Sequence, residues 1–182
     1  MIATAAAREA IEVRAAASRL TSADEIRAVF DVLAAEITDV LADCCPVLLA
    51  IMHGGVFTAV ELSRRLEFPH EFDYAHASRY GKALTGGELD WHVYPRETLR
   101  DRHVLVVDDI LDRGQTLAAV LEALADIGVE RAYSAVLVEK TLETPRPTAD
   151  FVGLTVPDAY VFGCGMDYKG FWRGLPDVYA VR

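Results

Sequence analysis

One stretch concentrates residues that can do chemistry together. In Val104-Leu105-Val106-Val107-Asp108-Asp109-Ile110-Leu111-Asp112-Arg113-Gly114-Gln115-Thr116-Leu117, an apolar run meets two adjacent acids. A third acid follows, and then a glycine and a threonine lead into helical spacing. Neighbouring strand residues point to opposite sides, so Asp108 and Asp109 can both accept hydrogen bonds from hydroxyls, or organise a cation, without colliding. Asp112 stands three residues on, placed for proton transfer or for facing positive charge. Gly114 lets backbone approach a ligand closely, the free amides of a helix start favour a phosphate, and Thr116 adds a hydroxyl donor. Acids near a helix start also serve as caps and complement its dipole. Three acids within five residues repel one another, however, and that cost points to hydroxyls or Mg²⁺ that satisfy them.

These residues need a scaffold, and the composition limits its kind. The 182 residues suit one domain with a small elaboration, and a 52% hydrophobic content supplies a real core. The longest wholly apolar stretch, Val47 to Met52, is far short of the ~20 residues of a membrane span, so a transmembrane protein is excluded. With 28 acids against 18 bases the net charge is −10, which argues against a general nucleic-acid binder. It leaves small anionic ligands open, because a few placed amides overcome a distant charge. Cys44, Cys45 and Cys164 form no CxxC pair and are read as buried thiols in a reducing compartment. The five histidines show no zinc spacing. The opening MIATAAAREAIEVRAAASRL is broken by charges, so it reads as a helix of a cytoplasmic protein and not as a secretory signal.

The remaining elements follow an α/β grammar. Residues 4–19 read as a surface helix, and Ser22 with Glu25 marks a capping box that opens a second helix through Leu41. Val47 to Met52 reads as a buried parallel strand, His53-Gly54-Gly55 as a turn, and Val56 to Leu66 as a helix. Residues 71–77 alternate with Phe72 and Tyr74 apolar, and Leu89, Trp91 and Val93 alternate again, as half-buried strands do. Between them Gly81 to Gly87 reads either as a hairpin loop or as a lid. After the acidic strand, a helix from Gln115 ends at Gly128, and strands follow over 132–138 and 151–156. Alternating strands and helices predict a parallel sheet with ligands at the carboxyl ends of its strands.

On these motifs the chain resembles a family. VVDDILDRGQTL is similar to the phosphoribosyl pyrophosphate (PRPP) loop of type I phosphoribosyltransferases: hydrophobic strand, two acids, two apolar residues, a third acid and Gly-x-Thr in order. LVEKTLE, DFVGLTVPDAYVFGCGMDY and FWRGLPDVY resemble the hypoxanthine-guanine phosphoribosyltransferases in particular, and the match covers most of residues 47–182. The resemblance implies an α/β fold with a parallel sheet flanked by helices and a small hood. It implies one domain over 1–182, with N-terminal helices at 4–42, a core at 46–156, a lid hairpin at 78–93, and hood contributions from 157–182.

The resemblance also implies roles. Asp108 and Asp109 hold the ribose hydroxyls, while Arg113, Gly114, Gln115 and Thr116 hold the 5′-phosphate. Asp112 sits by purine N7 as base or charge stabiliser, and Lys140 donates to the exocyclic O6. Tyr160 stacks on the base, the Val161 backbone reads its edge, and Asp167 with Asp108 places Mg²⁺. Gly54 and Arg173 contact pyrophosphate, and Arg79 and Tyr80 begin the lid. The implied activity is purine salvage: a 6-oxopurine plus PRPP gives IMP or GMP and pyrophosphate, with small-molecule partners, no nucleic acid, no membrane, and a homodimer or homotetramer. The alternatives are a xanthine-preferring enzyme and a regulator that keeps the PRPP fold without salvage activity. The chain departs from the family pattern at His53, Arg79, Arg113 and Glu143.

Overall fold

The computed structural model describes residues 4–79, 89–142 and 145–182. Helix α1 (Ala5–Ala16) is followed by strand β1 (Ser18–Thr21), helix α2 (Ala23–Leu41), strand β2 (Val47–Ile51) and helix α3 (Gly55–Ser63). Strands β3 (Glu71–Arg79) and β4 (Leu89–Val93) precede β5 (His103–Leu111), α4 (Gln115–Ile127), β6 (Arg131–Lys140) and β7 (Phe151–Val156). Short strands β8 (Val161–Phe162) and β9 (Val178–Ala180) end the chain. Among the described residues no helix is long and apolar enough to cross a membrane.

A six-stranded sheet runs in the order β4-β3-β2-β5-β6-β7. Only β4 is antiparallel to its neighbour. In β2 the alternation of a pleated strand divides one apolar run between two cores. Leu48 and Ala50 join Phe30, Leu33, Ile37 and Leu41 of α2 and Leu62 of α3. Val47, Leu49 and Ile51 join Leu117, Val120, Leu124 and Ile127 of α4. Leu105 and Val107 of β5 enter the first core and Val104 and Val106 the second, and with each large apolar side chain contributing about 1.5–3 kcal/mol on burial, the two layers pin β2 and β5 at the centre of the sheet. The capping box forms as expected: Ser22 N–H donates to the Glu25 carboxylate at 2.8 Å, and Glu25 N–H donates to Ser22 Oγ at 3.4 Å. Gly128 ends α4 in the left-handed conformation, φ 82°.

Three expectations are corrected. The first helix stops at Ala16, because residues 18–21 are drawn into a second sheet of order β1-β9-β8. That sheet joins the tail to the N-terminal segment, whereas the hairpin of β3 and β4 extends the main sheet. Arg14 helps to tie the two ends together, donating to the Tyr179 hydroxyl at 2.5 Å. Secondly, Phe72 and Tyr74 are 46% and 41% exposed, and the other face of β3, carrying Ala75, enters the α4-side core. Thirdly, the cysteines are free but not all buried: Cys45 is exposed in the turn after α2, and Cys44 and Cys164 are half-buried.

Candidate active site

The site is built from the carboxyl end of β5 outward. Val104 to Val107 are fully buried, and the strand does not stop there but carries Asp108 and Asp109 inside its ladder, Asp108 opposite Val136 of β6. Asp109 N–H donates to Asp108 Oδ1 at 2.9 Å, and Asp109 is only 7% exposed. Burial, and then the neighbouring Asp109 charge, hold the Asp108 carboxyl well above the usual carboxylate range. Burial also raises Asp109, against the pull of the Asp108 side chain and of Arg173. A half-buried acid beside a buried one is a standing electrostatic cost, which hydroxyl donors or a cation would relieve.

Beyond the strand the chain turns through Asp112 and Arg113 into Gly114, whose φ of 73° is left-handed and suits glycine. No side chain caps the helix α4 that follows, so its first amides keep their anion-binding character. Arg113 and Gln115 are exposed and Thr116 is half-buried.

Three backbones meet beside the acids. A Cβ added at Gly54 would land on the Asp109 carboxylate, and one at Gly165 (φ 101°) would stand 2.5 Å from the Gly54 carbonyl and 3.0 Å from Asp109 Cβ. Glycine is therefore the residue that lets the loop after β2 lie against the acids. Arg173 secures the junction: it donates to Gly165 O at 2.6 Å, pairs with Asp167 at 2.5 Å, and stands 3.8 Å from Asp109 Oδ2. Asp167 also accepts from Gly170 N–H at 2.6 Å. His53 is at the same loop, its ring 4.6 Å from that of His76, which lies 4.6 Å from His92.

The opposite wall comes from β6 and β8. Lys140, at the end of β6, has a side chain only 13% exposed, with Nζ 3.5 Å from Asp112 Oδ2 and 3.4 Å from Asp158 Oδ1. Tyr160 is 52% exposed and meets the Tyr168 ring edge-on at 5.6 Å. Its carbonyl accepts from Val181 N–H at 2.9 Å. In an antiparallel ladder that bond turns the N–H and C=O of the next residue away from β9. Val161 therefore presents both groups at the free edge of the small sheet.

All these walls enclose one cleft of about 370 Å³. Asp108, Asp109, Asp112, Arg113, Gly114, Gln115 and Thr116 line it, and so do Lys140, Tyr160, Val161, Asp167, Gly54 and Arg173. Arg79 ends β3 opposite Leu89. Its side chain, Tyr80, the glycine-rich 81–87 segment and Glu143 lie outside the described residues. Sequence reasoning missed Gly165, whose signal was the Gly163-Cys164-Gly165 spacing, and Asp158, whose contact with Lys140 crosses from one strand end to another. Among the described residues no three acid, histidine or cysteine groups gather as a metal cage. One or two carboxylates beside a phosphate site are nonetheless what Mg²⁺ uses, keeping the rest of its shell as water and phosphate oxygen.

Residues 16–169 match the phosphoribosyl transferase domain family. The chain is 32% identical to the hypoxanthine-guanine phosphoribosyltransferase of Streptococcus pneumoniae over 169 residues, covering 90% of this chain and 92% of that protein. It is 32% identical to the hypoxanthine-guanine-xanthine phosphoribosyltransferase of Tritrichomonas foetus, with 90% of each chain covered. The structure of a Trypanosoma cruzi hypoxanthine phosphoribosyltransferase superimposes with a TM-score of 0.83 at 27% identity, covering 91% of each chain. An acid pair within a central strand, an uncapped helix start after a left-handed glycine and a shared fold over nine-tenths of the length converge, and the chain belongs to the phosphoribosyltransferase family.

Proposed function

We propose that this phosphoribosyltransferase transfers 5-phosphoribose from PRPP to N9 of hypoxanthine or guanine, giving IMP or GMP and pyrophosphate. The observation that carries the reading is the wall facing the acids: Lys140 Nζ beside Asp112, with the free Val161 edge lining the same cleft. A lysine donor matches the O6 of a 6-oxopurine and has no acceptor to meet on the amino group of adenine. The names of the relatives support the same substrate class.

In this reading Asp108 and Asp109 accept from the ribose hydroxyls. The amides of Arg113 to Thr116, with the Thr116 hydroxyl, hold the 5′-phosphate. The C1′–oxygen bond to pyrophosphate breaks as N9–C1′ forms, and Asp112 beside N7 takes up the proton or the developing positive charge, an effect of about 10²- to 10⁴-fold. Tyr160 stacks on the base. Arg173 and the Gly54 backbone face the departing pyrophosphate, preorganised charge of the kind that dominates catalysis. Asp167 and Asp108 would hold Mg²⁺ carried in with PRPP, which supplies charge neutralisation for the leaving group. A lid beginning at Arg79 and Tyr80 would keep water from the carbocation-like centre.

The same reading includes a homodimer or homotetramer, supported by the exposed Phe57, Val60, Phe72 and Tyr74. The deciding experiment incubates the protein with PRPP, Mg²⁺ and each of five nucleobases in turn and identifies the nucleotide formed. IMP or GMP is the expected product, XMP alone would assign a xanthine-preferring enzyme, and no product from any 6-oxopurine would overturn the proposal.

A further inference from the structure

Arg146 is a buried cation that lines no part of the cleft and still holds two of its walls together. Its side chain is 12% exposed. One guanidinium nitrogen donates to the Asp112 carbonyl at 2.7 Å and lies 3.4 Å from the Leu111 carbonyl. The other donates to the Lys140 carbonyl and pairs with Glu139 Oε1 at 3.2 Å. The acceptors belong to adjacent parallel strands whose ladder ends at Leu111 opposite Glu139. Past that register no strand pairing fixes how far Asp112 stands from Lys140.

A planar guanidinium offers several donors in a fixed fork, so it can bond two strand ends at once and set their spacing. The group that needs this spacing is the Lys140–Asp112 pair, with 3.5 Å between Nζ and Oδ2. The Glu139 carboxylate keeps the buried arginine neutralised, without which its burial would be costly.

We propose that Arg146 is a positioning residue that fixes the separation of Asp112 and Lys140, and through it the placement of the purine N7–O6 edge against the ribose. The inference rests on the 6-oxopurine reading above. Lysine is not an equivalent, because a single ammonium cannot reproduce the two-strand fork.

The test combines R146Q, R146K, K140A and the R146Q/K140A double variant. Steady-state kinetics with hypoxanthine are measured beside PRPP binding by calorimetry in the absence of base. R146Q is expected to lower kcat/KM for hypoxanthine by about ten- to a hundred-fold, the scale of a 1 Å misplacement. Its PRPP Kd is expected to change much less than that, because Asp108 and Asp109 belong to β5 and Gln115 and Thr116 to α4, and only the Arg113 amide, in the peptide whose carbonyl Arg146 holds, is shared. In the double variant the base-side loss is expected to be well short of the product of the two single losses, since Arg146 acts partly through Lys140. Wild-type kinetics in R146Q, full multiplicativity in the double variant, or an equal loss of PRPP affinity would each overturn the inference. If R146Q does not fold, R146K decides: reduced base efficiency with retained PRPP binding supports the fork, and wild-type kinetics refutes it. An active wild-type enzyme with indifferent Arg146 variants sinks this inference alone, whereas a wild-type protein inert toward 6-oxopurines sinks it together with the functional reading.

Discussion

Lys140 Nζ lies 3.5 Å from Asp112 Oδ2, so the donor assigned to the purine oxygen and the acid assigned to its imidazole side form an ion pair across the tips of β5 and β6. The lysine is the less exposed partner, at 13% against 38%, and Asp158 holds it from the other side at 3.4 Å. The ammonium is held between two carboxylates at the wall of the cleft, and on the proposed reading a base carrying O6 would meet a donor already in place.

Removing the acid tests the chemistry. Asp112→Ala is expected to lower kcat by about 10²- to 10⁴-fold, the usual worth of a placed general base. Asp112 is part-exposed at the mouth of the cleft and its carbonyl remains for Arg146, so circular dichroism and the melting temperature should stay near wild type. Near wild-type turnover in a folded variant would remove Asp112 from the proton step.

Removing the cation tests recognition. Lys140→Ala should raise KM for hypoxanthine and guanine by about ten- to a hundred-fold, the value of a hydrogen bond to a charged group. PRPP binding should hardly change. Unchanged KM for both purines would take Lys140 out of the base site.

The parts of this site that are local in sequence are legible from the residues alone. Asp108 to Leu117 is one strand–turn–helix unit, where apolar pattern, acid spacing and a left-handed Gly114 all belong to neighbouring residues. The Ser22–Glu25 box and Gly128 are readable for the same reason. Contacts between distant segments are not. Ser18 to Thr21 becomes a strand only because Val178 to Ala180 lies beside it, and its alanine-rich approach looks helical by propensity. Phe72 and Tyr74 alternate properly for a strand, but alternation does not say which face the core covers. Arg146 reads as a loop arginine until the carbonyls of Asp112 and Lys140 appear around it.

Asp108 and Asp109 are held side by side at a cost in stability, which the proposed reading ties to ribose binding. Burial and the Asp109 charge raise the Asp108 carboxyl above its unfolded value, near 3.9 for an aspartate. Between that ordinary value and the raised one the native state holds more protons than the unfolded chain, so stability falls as pH rises through this window and stays lower above it. Asp108→Asn removes the charge and keeps an oxygen for the Asp109 N–H. The variant should melt higher than wild type at pH 7.5, by about 2–4 °C for each kcal/mol recovered, and the difference should shrink on acidification and vanish below about pH 3.9. PRPP binding by calorimetry should be lost. A variant less stable than wild type at neutral pH would show that Asp108 is not held at a cost.

Two glycines in the same tail separate close approach from backbone strain. Gly165 and Gly170 both have left-handed φ, 101° and 87°. A Cβ at Gly165 would stand 2.5 Å from Gly54 O and 3.0 Å from Asp109 Cβ, while one at Gly170 would meet nothing within 4 Å. Gly170→Ala therefore costs only the left-handed penalty, about 1–2 kcal/mol, and its N–H still reaches Asp167, so kcat/KM should hold. Gly165→Ala carries the same penalty and must also push the Gly54 loop or the Asp109 strand end out of place. Its kcat/KM should fall by about a hundred-fold, the scale of an ångström-sized displacement at a reacting centre. Melting curves and kinetics on the two variants decide the matter: a larger loss of stability in Gly165→Ala, with activity lost only in that variant when both are assayed folded, would place the close contact of these three backbones in the catalytic machinery, and equal activities would show that the junction serves folding alone.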